Sequence, residues 1–222
     1  MTNVIFKEMT PHKILTQIDK IDQQEVFAYF VEFLKNFTDF TEEDLTGLNA
    51  YWKIKVYKKN EFLFAERSEI KELGFIVHGA VKLYKEFEKG DQVLALLTEA
   101  NFCTMKGAFC LGMPAEYNAV CTEMTVLVTI DHEKMSQLLK DRPVFLKYFA
   151  QQNDNIILFL QNRLTALQVS SAQERYEELL NQQPDLISRF TLSDIANYLG
   201  MTGETLSRVR SSLSKKVIKI AI

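Results

Sequence analysis

Residues 190–216 read FTLSDIANYLGMTGETLSRVRSSLSKK, and this stretch predicts two short helices joined by a tight turn. Thr191 is a residue type that caps the beginning of a helix, Gly200 can end that helix in the left-handed conformation, and Thr202 can cap the next one. Apolar residues at helical spacing give each helix an inner face, so the pair should pack crosswise as a helix-turn-helix. The inner residues are Ile195, Ala196 and Leu199 in the first helix and Leu206, Val209 and Leu213 in the second.

The outer side of the second helix carries side chains that can recognise DNA. They are Glu204, Ser207, Arg208 and Ser211. Arg208 can donate two hydrogen bonds to guanine, and Glu204 can accept one from a cytosine amino group in the major groove. The hydroxyls of Thr202 and Thr205, together with free backbone amides at the helix start, suit a phosphate. The alternative is that Glu204 and Arg208 form a solvated ion pair on an ordinary helical hairpin.

The basic residues are concentrated at the C-terminal end. Over all 222 residues the formal net charge is -3, which by itself does not favour a nucleic-acid partner. From Gly203 onward, however, five basic residues stand against one acidic residue, Glu204. The basic residues are Arg208, Arg210, Lys215, Lys216 and Lys219. A contact with double-stranded DNA is therefore expected in this part of the chain.

Upstream, residues 144–168 are predicted to form one long helix. One face repeats in alternating steps of four and three residues, which is typical of paired helices in a dimer, and its lone polar residue, Asn153, could fix their register. We call this face the seam; it consists of Leu146, Ala150, Asn153, Ile157, Leu160, Leu164 and Leu167. A second apolar set on a neighbouring face is expected to pack on the β-rich segment of the same chain: Phe145, Phe149, Ile156 and Phe159. The alternative is one buried helix in a monomer.

The segment from Trp52 to about Ile130 has the composition of short β-strands rich in Val, Ile, Phe and Tyr. His78-Gly79 and Lys89-Gly90-Asp91 interrupt it, and their glycines suit tight hairpins. An antiparallel roll or sandwich is expected. Helices are predicted for residues 23–37, from Thr41 onward, and for residues 171–182. The predicted fold is α+β in three parts: residues 1–142 with the N-terminal helices and roll, 143–169 with the long helix, and 170–222 with the helix-turn-helix.

Membrane and secreted proteins are disfavoured. The hydrophobic content of 47% is ordinary for a globular protein, and no apolar run approaches the roughly 20 residues that span a bilayer. The beginning of the chain, MTNVIFKEMTPHK, has no secretory signal pattern. A cytoplasmic protein without a membrane partner is expected.

Metal sites, disulfides and enzymatic activity are also not indicated. The three cysteines, Cys103, Cys110 and Cys121, show no CxxC spacing, so they are expected to be free and buried thiols. A metal enzyme built on a β-roll, of the cupin kind, needs several converging ligands. The three histidines, at positions 12, 78 and 132, are far apart in the sequence. We expect no enzyme and no metal.

The segment LSDIANYLGMTGETLSRVRSSL resembles the recognition segment of the CRP/FNR superfamily, named after the cyclic-AMP receptor protein and the fumarate-nitrate regulator. The order of N-terminal helix, roll, long helix and helix-turn-helix agrees with that family over roughly residues 23–216. The resemblance implies a jelly roll of the cyclic-nucleotide-binding type, a dimer interface on the long helix, and a winged helix-turn-helix whose second helix enters the major groove. It also implies a homodimer, a pseudo-palindromic operator and RNA polymerase as a further partner.

The resemblance assigns roles to individual residues of the motif. It places Glu204 and Arg208 at base-reading positions and Thr205 at a phosphate-contacting position. Gly203 departs from the family, which often has Arg there, so one specified position in each half-site should be lost or altered. The final residues VIKIAI look like a strand of a shortened wing. The full set expected to contact DNA is Thr202, Gly203, Glu204, Thr205, Ser207, Arg208, Lys215 and Lys216.

The roll departs from the family in its nucleotide-binding cassette. Cyclic-nucleotide binders carry a stretch resembling F-G-E-x-A-L and then R-S/T-A, in which Glu holds the ribose and Arg the cyclic phosphate. Here the matching stretch is FCTMKGAFCLGMPAEYNAV, with Met105 at the Glu position and Ala115-Glu116 at the Arg-Ser pair. A phosphate would lack its cation and would meet the charge of Glu116, although Lys106 could substitute as a point charge. Tight cyclic-AMP binding is not expected; the candidate effector pocket consists of Phe102, Met105, Lys106 and Glu116.

Other sensing groups are weakly indicated. The fumarate-nitrate branch holds an iron-sulfur cluster through cysteines near its N-terminus, and no cysteine precedes Cys103 here. Haem binding through His78 or His132 and redox sensing through Cys103 or Cys110 remain hypotheses. The expected function is a sequence-specific, homodimeric transcription regulator that does not depend on cyclic AMP or another known cofactor. The alternative is a small-molecule-binding regulatory module without a direct DNA role.

Overall fold

The computed structural model describes residues 22–36, 39–88 and 90–220, with side chains up to residue 214. A 3-10 turn covers Leu48–Ala50. Within these ranges the helices are α1 Gln23–Lys35, α2 Glu42–Leu45, α3 Lys106–Leu111, α4 His132–Asp141, α5 Val144–Val169, α6 Ala172–Gln182, α7 Leu186–Arg189, α8 Leu192–Tyr198 and α9 Gly203–Ile220. The strands are β1 Lys53–Tyr57, β2 Phe62–Phe64, β3 Glu72–His78, β4 Val81–Lys85, β5 Gln92–Leu97, β6 Asn118–Cys121 and β7 Thr125–Asp131.

The strands form two antiparallel sheets that enclose the N-terminal core. One sheet has the order β1-β7-β3 and the other β2-β6-β4-β5. Large aromatic side chains fill the space next to the first sheet, and Trp52, which is 1% exposed, lies 4.8 Å from Phe30 of α1 between ring centroids. Phe75 of β3 lies 5.0 Å from the same Phe30 ring. The predicted α+β class with an antiparallel roll is confirmed.

The two predicted hairpins have different outcomes. β4 and β5 are paired, and Gly90 between them has a φ of +105°, as a tight turn requires. The hairpin predicted at His78-Gly79 is wrong, because β3 pairs with β7 whereas β4 pairs with β5 and β6. The turn instead carries the chain from one sheet to the other. Gly79 still has a φ of +104°, and a Cβ there would lie 2.5 Å from Oγ1 of Thr125.

The helix predictions are mostly confirmed. α1, α5 and α6 fall where the apolar spacing predicts them, and Thr41 caps α2 through a reciprocal pair of hydrogen bonds with Asp44. The sequence analysis missed α3, α4 and α7, of which α3 and α7 are only six and four residues long. The described helices include none that is long and apolar enough to cross a membrane.

The strand predicted for residues 217–222 is wrong over the described part, because α9 continues as far as Ile220. The sequence offers a reason for the continuation. No glycine or proline follows Gly203, so nothing in this segment ends a helix. Leu213, Val217 and Ile220 also continue the steps of four and three residues with which α9 begins.

The second apolar set of α5 is divided. Phe145 and Phe149 are buried against the roll as predicted. The same prediction is wrong for Ile156 and Phe159, which are 46% and 45% exposed. The reason is that α5 continues past the roll: Lys106 still contacts Phe149 and Asn153, and the apolar residues that follow on α5 are exposed.

A second core holds the C-terminal unit, by which we mean α6 to α9, against the roll. This core joins side chains of β5 and of the turn before β4 to those of the four helices. The roll contributes Ala80, Val93 and Leu96; the helices contribute Tyr176, Leu179, Leu186, Phe190, Ile195, Ala196, Tyr198, Leu199 and Leu206. The C-terminal unit is therefore packed on the β4–β5 side of the roll.

Candidate DNA-binding surface

α8 and α9 have the geometry predicted for a helix-turn-helix. The hydroxyl of Thr191 accepts a hydrogen bond from the backbone N–H of Asp194 at 3.1 Å and so caps α8. Gly200 has a φ of +65° at the turn. Thr202 then caps α9 by accepting from the N–H of Thr205 at 3.2 Å. Each terminus is formed by the residue type that suits it, which explains why local sequence predicted this motif.

The inner faces of the two helices are packed as expected. Ile195, Ala196 and Leu199 of α8 are buried, and so is Leu206 of α9. Val209 and Leu213 are partly buried against the same core. This packing fixes α9 on α8, and no other described residue covers the opposite side of α9.

The uncovered side of α9 is the candidate reading face, which we define as Glu204, Ser207, Arg208 and Ser211. All four side chains are exposed. Arg208 donates from Nη2 to Oγ1 of Thr205 at 3.3 Å, and the hydroxyl of Thr202 donates to the same oxygen at 3.0 Å. Among the described residues, the ion pairs include none between Glu204 and Arg208. The structure therefore does not contain the Glu204–Arg208 ion pair on which the alternative interpretation depends.

The remaining residues expected to contact DNA are Gly203, at the start of α9, and Lys215 and Lys216, in its C-terminal part. Gly203 begins the helix and is open to solvent, since an added Cβ would meet nothing within 4 Å. Lys215 and Lys216 belong to α9, but their side chains lie outside the described residues. The motif thus brings the residues from Thr202 to Arg208 together on one turn-and-a-half of helix.

The seam on α5 is an exposed apolar surface in the single chain. Its large side chains are between 41% and 58% exposed: Leu146, Ile157, Leu160, Leu164 and Leu167. Asn153, its polar member, accepts a hydrogen bond from Nζ of Lys106 at 2.8 Å. A stripe of exposed leucine and isoleucine is unusual for a monomer and typical of a surface that a partner covers.

The residues predicted for an effector pocket are occupied by contacts of their own. Lys106 donates to Asn153 and to the backbone carbonyl of Phe149 at 3.0 Å, and burial lowers the pKa of its ammonium. The N–H of Glu116 donates to Sδ of Met105 at 3.4 Å. Phe102 packs edge-on against Phe75, with 5.3 Å between ring centroids.

A small cavity in the roll lies apart from these four residues. Its volume is about 230 Å³, and Cys103 is the member of the cassette stretch that reaches it. Lys55 and Glu72, which form an ion pair at 2.7 Å, are part of its wall. The other lining residues include Tyr57, Ser68 and Leu127. The sequence analysis did not find this cavity, because it is assembled from residues that are distant in the sequence.

The cysteines and histidines show little sign of ligand chemistry. Cys103 and Cys121 are buried as expected, whereas Cys110 is exposed. Burial raises the pKa of the Cys103 thiol, and burial also raises the pKa of Cys121 to about 11, so both remain protonated near neutral pH. His132 stacks on Phe109 at 3.9 Å between ring centroids. The described residues contain no group of three or more His, Cys, Asp or Glu side chains that could hold a metal ion.

Polar contacts between the roll and the C-terminal unit were missed by the sequence analysis. Arg189 of α7 forms ion pairs with both Glu99 and Glu123. Burial alone would raise the pKa of the Glu99 carboxyl, but the hydrogen bonds and charge of Arg189 outweigh it and lower that pKa. Lys82 of β4 forms a third ion pair between the two parts, with Asp194 at 3.0 Å. These partners are up to 112 residues apart, so no local signal could have paired them.

Comparison with known proteins supports this architecture. Residues 54–142 match the family model of the cyclic nucleotide-binding domain. The fumarate and nitrate reduction regulatory protein of Vibrio cholerae is 25% identical over 175 residues, which cover 74% of this chain and 70% of the relative.

Solved structures of low sequence identity share the fold. FixK2 from Bradyrhizobium japonicum has a TM-score of 0.66 and 19% identity, covering 75% of this chain and 86% of its own. The c-di-GMP responsive global regulator CLP of Xanthomonas campestris has a TM-score of 0.64 and 18% identity, covering 79% and 93%. The catabolite activator protein of Thermus thermophilus has a TM-score of 0.52 and 20% identity, covering 81% and 86%.

The roll matches a cyclic nucleotide-binding domain, and the relative with which most of the chain aligns is a regulatory protein. The chain therefore resembles regulators of the CRP/FNR superfamily in sequence and in fold.

Proposed function

We propose that the protein is a homodimeric, sequence-specific DNA-binding regulator that works in the cytoplasm and does not require cyclic AMP. The observation that carries the proposal is the reading face of α9, whose Arg208 and Glu204 are exposed and not paired with each other. An arginine in this state can form two hydrogen bonds with a guanine, and a carboxylate can accept from a cytosine. The positive end of the α9 dipole and the hydroxyl of Thr202 favour a nearby phosphate.

The proposed dimer uses the seam of α5 against the seam of a second copy. The argument is the match between an exposed apolar stripe and its heptad spacing, since two identical stripes can cover each other around a two-fold axis. Two copies of α9 would then meet successive major grooves. The expected operator is a pseudo-palindrome with half-sites about 10 base pairs apart.

Independence of cyclic AMP is supported by the contacts in the cassette. Lys106, which could have served as a phosphate cation, is committed to Phe149 and Asn153 on α5. Glu116 contributes a carboxylate to the region where the family has an arginine, and Ala115 is buried and apolar. A cyclic phosphate would be desolvated there without a partner of opposite charge.

A small-molecule-binding module without a DNA role is the second candidate. The cavity of about 230 Å³ in the roll favours some effector function. This second candidate does not account for the exposed reading face of α9. The regulator should bind a specific DNA sequence, whereas the binding module should not.

Selection from a random DNA library with the purified, ligand-free protein tests the proposal. We expect an inverted repeat to be enriched, with a G opposite Arg208 and with a less constrained position next to Gly203. The salt concentration must be fixed and stated, because phosphate contacts make the affinity depend on it. If no sequence is enriched with the protein alone and again in the presence of cell extract, the binding-module candidate replaces the regulator.

Titration with cyclic AMP is expected to give no measurable heat at micromolar protein concentrations. The reason is the lack of a cation for the cyclic phosphate, which a bidentate arginine would provide. Isothermal titration calorimetry on the dimer measures this directly, and an unchanged operator affinity in the presence of the nucleotide is the matching functional result. Low-micromolar binding would show that the cassette is functional.

A further inference from the structure

The C-terminal unit is attached to the roll by an ionic contact between residues that are far apart in the sequence. We infer that Arg189 is a positioning residue for DNA recognition: its guanidinium, bound between Glu99 and Glu123, sets the orientation of α9 relative to the seam. The inference rests on the proposed function, because it explains how a dimer reaches a DNA-competent geometry without an effector.

The geometry around Arg189 is that of a specific ionic clamp. The side chain comes from the end of α7 and is 20% exposed. Its Nη1 and Nη2 both donate to the carboxylate of Glu99, the latter at 2.9 Å to Oε1, and Nη2 also donates to Oε1 of Glu123. Two parallel hydrogen bonds to one carboxylate fix the plane of a guanidinium as well as its position.

Contacts within the roll hold the carboxylate of Glu99 and the backbone of Glu123. Oε1 of Glu99 accepts from the backbone N–H of Gly79 at 2.8 Å, and Nδ1 of His78 lies 3.7 Å from the same oxygen. The backbone carbonyl of Glu123 accepts from the hydroxyl of Thr125 at 3.0 Å. Gly79 cannot carry a side chain, since Thr125 and the backbone of Met124 lie within 2.6 Å of an added Cβ. The two acidic residues that bind Arg189, Glu99 and Glu123, therefore belong to loops of the roll that contacts within the roll hold in place.

Other contacts also hold the C-terminal unit on the roll, but without Arg189 they leave its orientation relative to the roll less well defined. An apolar core joins Ala80 and β5 to the C-terminal helices, and such contacts are not directional. Asn197 on α8 adds a hydrogen bond from the N–H of Val93 at 2.6 Å, and Lys82 pairs with Asp194. These two contacts lie on α8. Arg189 adds a third contact on a different helix, α7, and this contact restricts rotation of the unit about the line through the other two.

The long helix is tied to the same assembly. Arg163 of α5 donates to the backbone carbonyl of Tyr198 at 2.8 Å and stacks on the Tyr198 ring at 3.9 Å. Roll, seam and helix-turn-helix thus form one connected body in each chain. In a dimer made through the seam, the distance and rotation between the two copies of α9 are then set by these contacts, and they fix the half-site spacing.

The clamped arrangement leaves the reading face free. The roll contacts α7 and α8, and the residues Glu204, Ser207, Arg208 and Ser211 on α9 remain exposed. The contact therefore does not cover the reading face.

The test compares Arg189→Met with Arg189→Lys, and it uses Glu133→Gln as a control on an exposed carboxylate of α4. Each variant is titrated against the operator selected by the wild type and against versions whose half-sites are one base pair closer or farther apart. Wild type should prefer the selected spacing by at least about tenfold, a coupling typical of linked sites. Arg189→Met should lose that preference, Arg189→Lys should retain part of it, and the control should behave as wild type.

The outcomes distinguish positioning from stability. A residue with only a structural role would lower the melting temperature of the unit without changing the spacing preference. Glu99→Gln keeps the size of the side chain and removes its charge, so it provides a second variant with the same expected effect if Arg189→Met does not fold. Unchanged spacing preference in both variants overturns the inference, and so does tighter operator binding, which would mean that the clamp opposes recognition. Failure of the wild type to select any sequence would instead defeat the proposed function itself and the inference with it.

Discussion

Replacing Leu160 and Leu164 together by glutamate should convert the protein to a monomer and abolish tight binding to its operator. Both leucines lie on the seam and are more than half exposed in the single chain, at 54% and 58%. Covering such a side chain contributes about 1.5 to 3 kcal/mol, and the double change removes four of them from a dimer. A buried carboxylate without a partner adds a further penalty.

The effect on DNA binding should be larger than the loss of any single contact. Two linked reading units bind a palindrome with an avidity about 10² to 10⁴ times that of one unit, and a monomer loses this factor. Sedimentation velocity measures the oligomeric state, and a gel-shift titration measures the operator affinity. The matched control is Asn155→Glu with Asn162→Glu, which places the same two charges seven residues apart on exposed positions away from the seam. A double leucine variant that still sediments as a dimer would rule out the seam as the interface.

Arg208→Ala should weaken binding to the selected operator and relax one base position in each half-site. A bidentate arginine contact is worth about 1 to 3 kcal/mol, and a dimer makes two of them. The loss on a symmetric operator is therefore roughly 30-fold to 10⁴-fold. Arg208 is suited to this role because it is exposed and its hydrogen bond to Thr205 is one that a base could replace.

The measurement is a repeat of the library selection with the variant, followed by titration of single-base operator variants. Lys215→Ala should weaken all sequences alike, because a phosphate contact carries no sequence information. Arg210→Ala removes the same type of side chain from a position on α9 that is not part of the reading face. An equal loss on every sequence for Arg208→Ala would contradict base reading by this residue.

Local signals were sufficient for the parts of the fold that a few consecutive residues determine. Thr191 begins α8, Gly200 ends it, and Thr202 begins α9. Each of them satisfies or frees backbone groups within three or four residues of itself. The same holds for the cap of α6 at Ser171. Helix spacing also predicted α5 nearly to its ends.

Features that depend on distant partners could not be predicted in this way. Gly79 has the backbone conformation of a hairpin turn, but whether the strands on its two sides pair is decided by β7 and β6, which follow about 40 residues later. Ile156 and Phe159 have the spacing of a buried face, but the roll does not reach that far along α5. The extension of α9 to Ile220 was missed for a different reason: a run of Val and Ile suits a strand as well as a helix.

The same distinction between local and distant signals applies to the candidate site. The reading face could be predicted because it occupies one helix whose inner side is marked by apolar residues. The clamp could not, since Arg189 is 90 residues from Glu99 and 66 from Glu123 in the sequence. The sequence around an isolated charged residue does not indicate its partner. Arg189, Glu99 and Glu123 come together only because α7 packs on the roll.

Trp52, the one tryptophan of the chain, gives the protein a built-in optical reporter. Its ring is enclosed by the aromatic core of the roll next to Phe30, while the aromatic side chains of the C-terminal unit are Tyr176, Phe190 and Tyr198. Selective excitation of tryptophan therefore follows the unfolding of the roll alone, and far-ultraviolet circular dichroism follows the helices of both units. Coincident denaturation curves from the two signals would show that the roll and the C-terminal unit unfold as one cooperative body.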